Sequence, residues 1–113
     1  MNKRNLFYAC MGLLVALLLP ARSAASILSY YFRSLGVGEG LSQSTVNVIL
    51  QDRQGFMWFG TKDGLNMYDG MQFRLFQKEN SSLGNNFITA LYEDREGFIW
   101  VGTDVGVFVY DPR

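Results

Sequence analysis

Two kinds of side chain that could do chemistry recur at one fixed spacing. Asp52 and Asp94 are 42 positions apart, and so are Trp58 and Trp100. A carboxylate can ligate a metal ion, and an indole ring can stack on a ligand. Residues present in every unit of a repeat, however, usually serve the repeat itself. We therefore expect each Asp to cap the start of a hairpin and each Trp to pack between neighbouring sheets.

The composition excludes several kinds of site. The chain has no histidine and a single cysteine, Cys10. It therefore has no Ser-His-Asp triad, no imidazole metal ligand, no phospho-accepting histidine, no internal disulfide and no CxxC metal site. No pair of carboxylates can be assigned the roles of general acid and base. We expect no catalytic residue, no metal site and no cofactor in this chain.

The N-terminal segment has the layout of a secretory signal peptide. Lys3 and Arg4 form a basic start, residues 6–19 are an unbroken apolar run, and small residues follow. As a helix this run would reach about 21 Å, whereas a spanning helix must cover about 30 Å. We predict a signal peptide over residues 1–25, cleaved after Ala25, and hence export; an uncleaved anchor is the alternative.

Removal of that segment changes the charge of the chain. Lys3, Arg4 and Arg22 lie within it, so seven of the ten basic residues remain against ten acidic residues, a net charge of −3. Nucleic-acid binding requires clustered Lys and Arg to displace counterions from phosphates. The remaining chain has no such cluster, and we expect no nucleic-acid partner for it.

The remaining chain contains an internal repeat. Residues 41–71 align with residues 83–113 without a gap, with 11 identities in 31 positions. A period of about 40–50 residues is typical of propeller blades or of helical arrays. The repeat motif comprises twelve residues, six in each unit: Asp52, Gly55, Trp58, Gly60, Thr61 and Gly64, then Asp94, Gly97, Trp100, Gly102, Thr103 and Gly106.

The local pattern favours propeller blades. Each period holds short segments that are rich in β-branched or alternating apolar residues and bounded by glycines, which predicts strands. Asp-Gly pairs at 63–64 and 69–70 favour tight hairpins, and strands joined by tight turns are antiparallel. We predict an all-β fold of about two four-stranded antiparallel meanders, an incomplete β-propeller, preceded by the signal-peptide helix.

The predicted organisation follows from the repeat. Residues 26–40 form an N-terminal segment with an outer strand at 30–33, residues 41–82 form blade 1, and residues 83–113 form an incomplete blade 2. The outer strand would pair with the last blade of a closed ring. Since repeat arrays generally need three or more units, the isolated mature chain is expected to be aggregation-prone or partly molten.

Binding residues are better sought where the two units differ. Nothing in the sequence makes these positions converge on one site, so the binding residues stay unassigned. For the repeated Gly-Thr pairs we expect close blade approach and a hydroxyl bond to the turn. The differing pairs are Lys62/Asp104, Asp63/Val105, Asn66/Phe108, Asn47/Thr89 and Gln43/Asn85.

The string D-R-x-G-F-x-W-x-G-T-x-x-G, at residues 52–64 and 94–106, resembles the two-component regulator propeller repeat. Residues 40–52 resemble the first blade of that family. The resemblance implies the periplasmic sensor of a hybrid two-component protein, with two seven-bladed propellers and a β-sandwich before a transmembrane helix. A histidine kinase, a receiver and a DNA-binding domain would follow inside the cell, so the kinase activity would lie in domains absent from this chain.

The same resemblance implies partners and a location. The partners would be the remaining blades of a longer chain and an oligosaccharide ligand, in a homodimer anchored in the inner membrane. The chain resembles the extreme N-terminal piece of such a sensor, as a truncated gene or an incomplete reading frame would give. The alternatives are a secreted propeller scaffold, a remnant without signalling activity, or part of a propeller lyase or hydrolase.

Overall fold

The computed structural model describes residues 2–5, 8 and 28–113. The chain divides into two compact units, residues 1–33 and residues 34–113. In the first unit, residues 3–5 are helical. Most of the predicted signal peptide, including its cleavage position, lies outside the described residues. No helix within the described residues is long and apolar enough to span a membrane.

The second unit is built of antiparallel strands, which confirms the predicted all-β blade architecture. Two sheets form, with strand orders β1-β2-β3-β4 and β5-β6-β7. The second sheet, as far as the chain is described, has the first three strands of the meander. The elements are a 3-10 helix at Val37–Glu39, followed by β1 (Val46–Gln51), β2 (Met57–Thr61), β3 (Gly64–Tyr68), β4 (Phe73–Phe76), β5 (Ile88–Glu93), β6 (Ile99–Thr103) and β7 (Gly106–Tyr110).

The turn between the first two strands of each sheet needs glycine. Gly55 has φ 93° and Gly97 has φ 91°, a left-handed conformation that other residues rarely adopt. Each glycine donates its backbone N–H to the carbonyl of the aspartate three residues earlier, at 2.9 Å in the first sheet and 3.1 Å in the second. The Asp-x-x-Gly spacing therefore closes the same turn twice.

The hydrophobic core lies between the two sheets. Trp58 is 1% exposed, and its ring contacts Tyr110 of the second sheet at 5.2 Å between centroids. Ile88, Ile99 and Val101 of the second sheet are fully buried in the same cluster. Strand β5 packs against β1 and β2. The sheets are therefore stacked face to face as consecutive blades.

The face of blade 2 that points away from blade 1 is uncovered. Trp100 and Val107 are 43% and 64% exposed, whereas their equivalents Trp58 and Leu65 are 1% and 2% exposed. Residues at equivalent positions of the two sheets thus differ in burial because, among the described residues, only blade 1 has a neighbouring sheet on this face.

The outer strand expected at residues 30–33 is not formed. Residues 28–35 are assigned to no strand, and Tyr30, Tyr31 and Phe32 are more than nine-tenths exposed. A strand forms only by hydrogen bonding to a neighbour, and the expected neighbour is the last blade of a closed ring. Pairing of this segment with such a blade stays a prediction.

The close approach of the two sheets predicts a specific cost for a methyl group at Gly60. A Cβ there would lie 2.4 Å from Ile88 Cγ2 and 2.6 Å from Val48 Cγ1. We expect Gly60→Ala to lower the free energy of unfolding by about 1–3 kcal/mol through overpacking. Urea unfolding of the full chain, followed by tryptophan fluorescence, measures the change.

Gly102→Ala is the matched control, because the nearest atom to a Cβ at Gly102 is Ala90 Cβ at 3.1 Å and no third sheet among the described residues covers it. Its cost should be clearly smaller than that of Gly60→Ala. Equal losses for the two variants would contradict the packing argument.

Candidate functional site

The repeated aspartates are held in place by hydrogen bonds. Asp52 Oδ1 accepts from the backbone N–H groups of Gln54 and Phe56 at 3.0 and 2.9 Å, and Oδ2 accepts from Trp58 Nε1 at 2.8 Å. Its carboxylate therefore ties the turn to the indole of the next strand. With both oxygens so engaged, it is poorly placed to ligate a metal ion or to transfer a proton.

The second unit repeats this arrangement in a more open setting. Asp94 Oδ1 accepts from Glu96 N and Phe98 N, and Oδ2 accepts from Trp100 Nε1 at 2.9 Å. The indole N–H of Trp100 is the main cause that holds the pKa of Asp94 below its usual value. The local network is thus the same whether or not a neighbouring sheet covers the tryptophan.

Each repeated threonine forms hydrogen bonds with the backbone of the turn that follows it. Thr61 Oγ1 donates to the carbonyl of Gly64 at 3.1 Å and accepts from Asp63 N at 3.0 Å. Thr103 makes the corresponding bonds to Gly106 O, at 2.9 Å, and Val105 N, at 3.2 Å. The twelve motif residues are therefore spread over two turns and a strand in each blade, and do not converge on one site.

Asn66, a candidate because it replaces Phe108 of the other unit, is fully buried. Its Nδ2 donates to Ser42 Oγ at 2.9 Å and to the carbonyl of Phe59 at 3.2 Å, while its Oδ1 accepts from Ser42 N at 3.0 Å. Ser42 Oγ also lies 2.8 Å from Thr61 Oγ1. This amide holds the chain leading into blade 1 and has no free face for a ligand.

The other differing positions lie apart from one another. Asn47 Nδ2 donates to the carbonyl of Ile88 at 2.9 Å and so joins the two blades. Lys62 and Asp63 are exposed in the β2–β3 turn, as are Asp104 and Val105 in the β6–β7 turn. Sequence reasoning thus brought no binding set together, and the structure does not assemble one from these positions.

A cleft between the blades was not found from the sequence. Its volume is about 330 Å³, and it lies where the β1–β2 and β3–β4 turns meet the end of β7. Phe56, Trp58 and Tyr110 give it an aromatic side. Its polar side chains come from turns and strands that the sequence alone does not place together; they include Gln54, Asp69, Gln72 and Arg74.

The carboxylate of Asp69, on the rim of this cleft, is already bonded. Asp69 Oδ1 accepts from Gln72 N at 2.9 Å and from Met71 N at 2.8 Å. These backbone N–H groups, that of Gln72 first, hold the pKa of Asp69 below its usual value. Within the described residues, no group of three or more acidic or Cys side chains could hold a metal ion.

Comparisons with known proteins agree with the repeat. The family model described as "Two component regulator propeller" matches residues 40–63 and 82–105. The histidine kinase P4 of Formosa agariphila is 45% identical over 49 residues, which are 43% of this chain and 4% of that protein. The two matched stretches contain the whole of both motif copies except the last residue of each.

A solved structure shares the fold. The extracellular domain of a hybrid two-component system from B. thetaiotaomicron superposes with a TM-score of 0.62 and 38% identity. The match covers 69% of this chain and 12% of that one. The chain therefore spans only a small part of the length of either relative.

The bond between Asp94 and Trp100 predicts a pH-dependent local change. The folded-state pKa of Asp94 is lowered, so the bond contributes fully above the unfolded value of about 3.9 and is lost as pH falls through the lower folded value. We expect the indole Nε1–H signal of Trp100 in ¹⁵N–¹H NMR spectra to shift over that acid range.

The Asp94→Asn chain is the control, because its Trp100 signal should no longer titrate there. The Trp58 indole signal reports separately on the buried interface. A Trp100 signal that stays unchanged while Asp94 becomes protonated, in a chain that remains folded, would contradict the role given to Asp94.

Proposed function

We propose that the chain, whose two motif copies match the family model of the two-component regulator propeller, supplies the first blades of an extracytoplasmic sensor in a hybrid two-component signalling protein. The carrying observation is that its two motif copies fold as consecutive stacked antiparallel sheets. The likeness to an extracellular domain of such a system supports the same assignment. In this role the chain binds and transmits, and the kinase chemistry belongs to other domains.

We propose a periplasmic location for these blades. The basic start and the apolar run of residues 6–19 support export, and the relative's extracellular domain supports the same side of the membrane. The remaining blades of a longer chain are the proposed partners. An inner-membrane anchor and a homodimer belong to the same proposal for the whole protein.

The proposed ligand is an oligosaccharide, and the inter-blade cleft is its proposed site. Sugars bind through apolar ring faces laid on aromatic side chains and through hydroxyls that need directed polar partners. The cleft offers both, with Phe56 and Tyr110 on one side and Gln72 and Arg74 on the other. A volume of about 330 Å³ is at the lower end of ligand pockets and suits one or two sugar rings.

A propeller enzyme is the weaker alternative. The two carboxylates that line the cleft, those of Asp52 and Asp69, already accept hydrogen bonds from the protein. Neither is left as a free general base at this site. A secreted scaffold protein is a further alternative and would be built of the same sheets. Binding of a ligand in the cleft would distinguish a sensor from such a scaffold.

The experiment is a titration of the full chain with a panel of neutral and acidic oligosaccharides, followed by calorimetry. We expect at least one sugar to bind, and Arg74→Ala to weaken that binding about ten-fold through the loss of a charged donor. Lys62→Ala is the matched control, because Lys62 is also an exposed cation of blade 1 but does not line the cleft. Binding that is weakened equally by both variants, or absent for the whole panel, would contradict the proposed ligand.

A further inference from the structure

One arginine joins the turns of the two blades. Arg53 Nη2 donates to the carbonyl of Asp94 and Nη1 to the carbonyl of Arg95, each at 2.7 Å. Its backbone N–H donates to Glu93 Oε1 at 3.0 Å, and its Nε lies 3.4 Å from the same oxygen. We call these contacts between Arg53 and residues 93–95 the turn latch.

Within the turn latch, the Glu93 carboxylate is less exposed to solvent than the Arg53 guanidinium. The side chain of Glu93 is 14% exposed and that of Arg53 is 54% exposed. A carboxylate that is largely removed from water needs donors, and the backbone and side chain of Arg53 both supply them. The guanidinium spans two successive carbonyls of the facing turn, a geometry that its planar fork allows and an ammonium does not.

Because the two units are offset by 42 residues, the arginine of the turn latch has an equivalent in blade 2. Arg95 occupies the position of Arg53, is exposed, and forms no ion pair within the described residues. Beside it lies the uncovered face of blade 2, whose apolar members are equivalents of residues that are buried or half-buried in blade 1. They are Tyr92, Trp100, Val107 and Val109, exposed by 64%, 43%, 64% and 49%.

We propose that this face of blade 2 docks a further propeller repeat, and that Arg95 selects a repeat with an acid at the position equivalent to Glu93. The inference rests on the proposed function and adds a rule for the order of blades. The argument is that the interface between blades 1 and 2 would recur on blade 2. Blade 2 covers the corresponding face of blade 1 and carries Glu93 opposite Arg53.

Blade 1 offers a test of the rule, because its residue at this position is neutral. Gln51 is the equivalent of Glu93 and is exposed at the end of β1. A second copy of the chain that docked its blade 1 onto blade 2 of the first would bring Gln51 to Arg95. The neutral amide would accept a hydrogen bond without supplying the charge. Gln51→Glu should then restore the missing half of the turn latch between two copies.

The experiment is a double-mutant cycle on the full chain, with self-association measured by sedimentation velocity. The four proteins are the unchanged chain, Gln51→Glu, Arg95→Gln and the double variant. We expect Gln51→Glu to tighten self-association about five-fold, the upper range for an exposed ion pair, and higher salt to reduce the gain. The gain should disappear when Arg95→Gln is added. Because residues 1–33 are common to all four proteins, any association through them cancels in the cycle.

Lys62→Gln combined with Gln51→Glu is the matched control, since Lys62 is an exposed cation of the β2–β3 turn, outside the turn latch; the gain should persist in it. A gain from Gln51→Glu that survives Arg95→Gln overturns the rule, and so does the absence of a gain. Failure of all four proteins to associate overturns the docking face itself. Neither result bears on export or on sugar binding, which are tested separately.

Discussion

Each sheet of this chain can bury its apolar faces only against another sheet, and the rest of the structure depends on that constraint. The contact is made by Trp58, whose indole fills the space between blades while Asp52 accepts its N–H. Burial of the ring supplies the apolar area, and the paired N–H avoids the cost of an unsatisfied donor. Gly60 then lets Ile88 approach closely enough for the two sheets to interlock. Each further blade can form the same interface with the one before it, until the ring of blades closes.

The two units differ at positions that compensate for one another. In blade 1, the half-buried Ser42 and the buried Asn66 form a hydrogen-bonded pair, whereas blade 2 has Gly84 and Phe108 at the same places. A Cβ at Gly84 would lie 2.2 Å from Phe108 Cζ, so the large ring requires the glycine. Some differences between the two repeats are therefore paired substitutions, in which one residue change compensates for the other and the packing is kept. Such positions are weak evidence of a ligand site.

The sequence was informative where the structure is local. Asp-x-x-Gly turns, Asp-Gly pairs and alternating strands predict the meander because each acts over a few residues. The turn latch was missed because Arg53 and Glu93 are 40 positions apart, and only the stacking of blades brings them together. The cleft was missed for the same reason, since Arg74 and Tyr110 belong to different sheets. The outer strand at residues 30–33 has the right residue types, but a strand also requires a partner.

Three features with different roles lie at the same end of the two sheets. The Asp52 turn fixes the backbone, the turn latch joins that turn to the next blade, and the cleft lies beside the same residues. The walls of the cleft belong to both blades, so its width depends on the separation that Arg53 and Trp58 maintain. A ligand bound there would contact both blades at once and would favour whichever separation fits it best. Binding of the proposed ligand would thus be coupled to blade stacking by geometry, as the proposed sensor role requires if binding is to change the structure beyond the site.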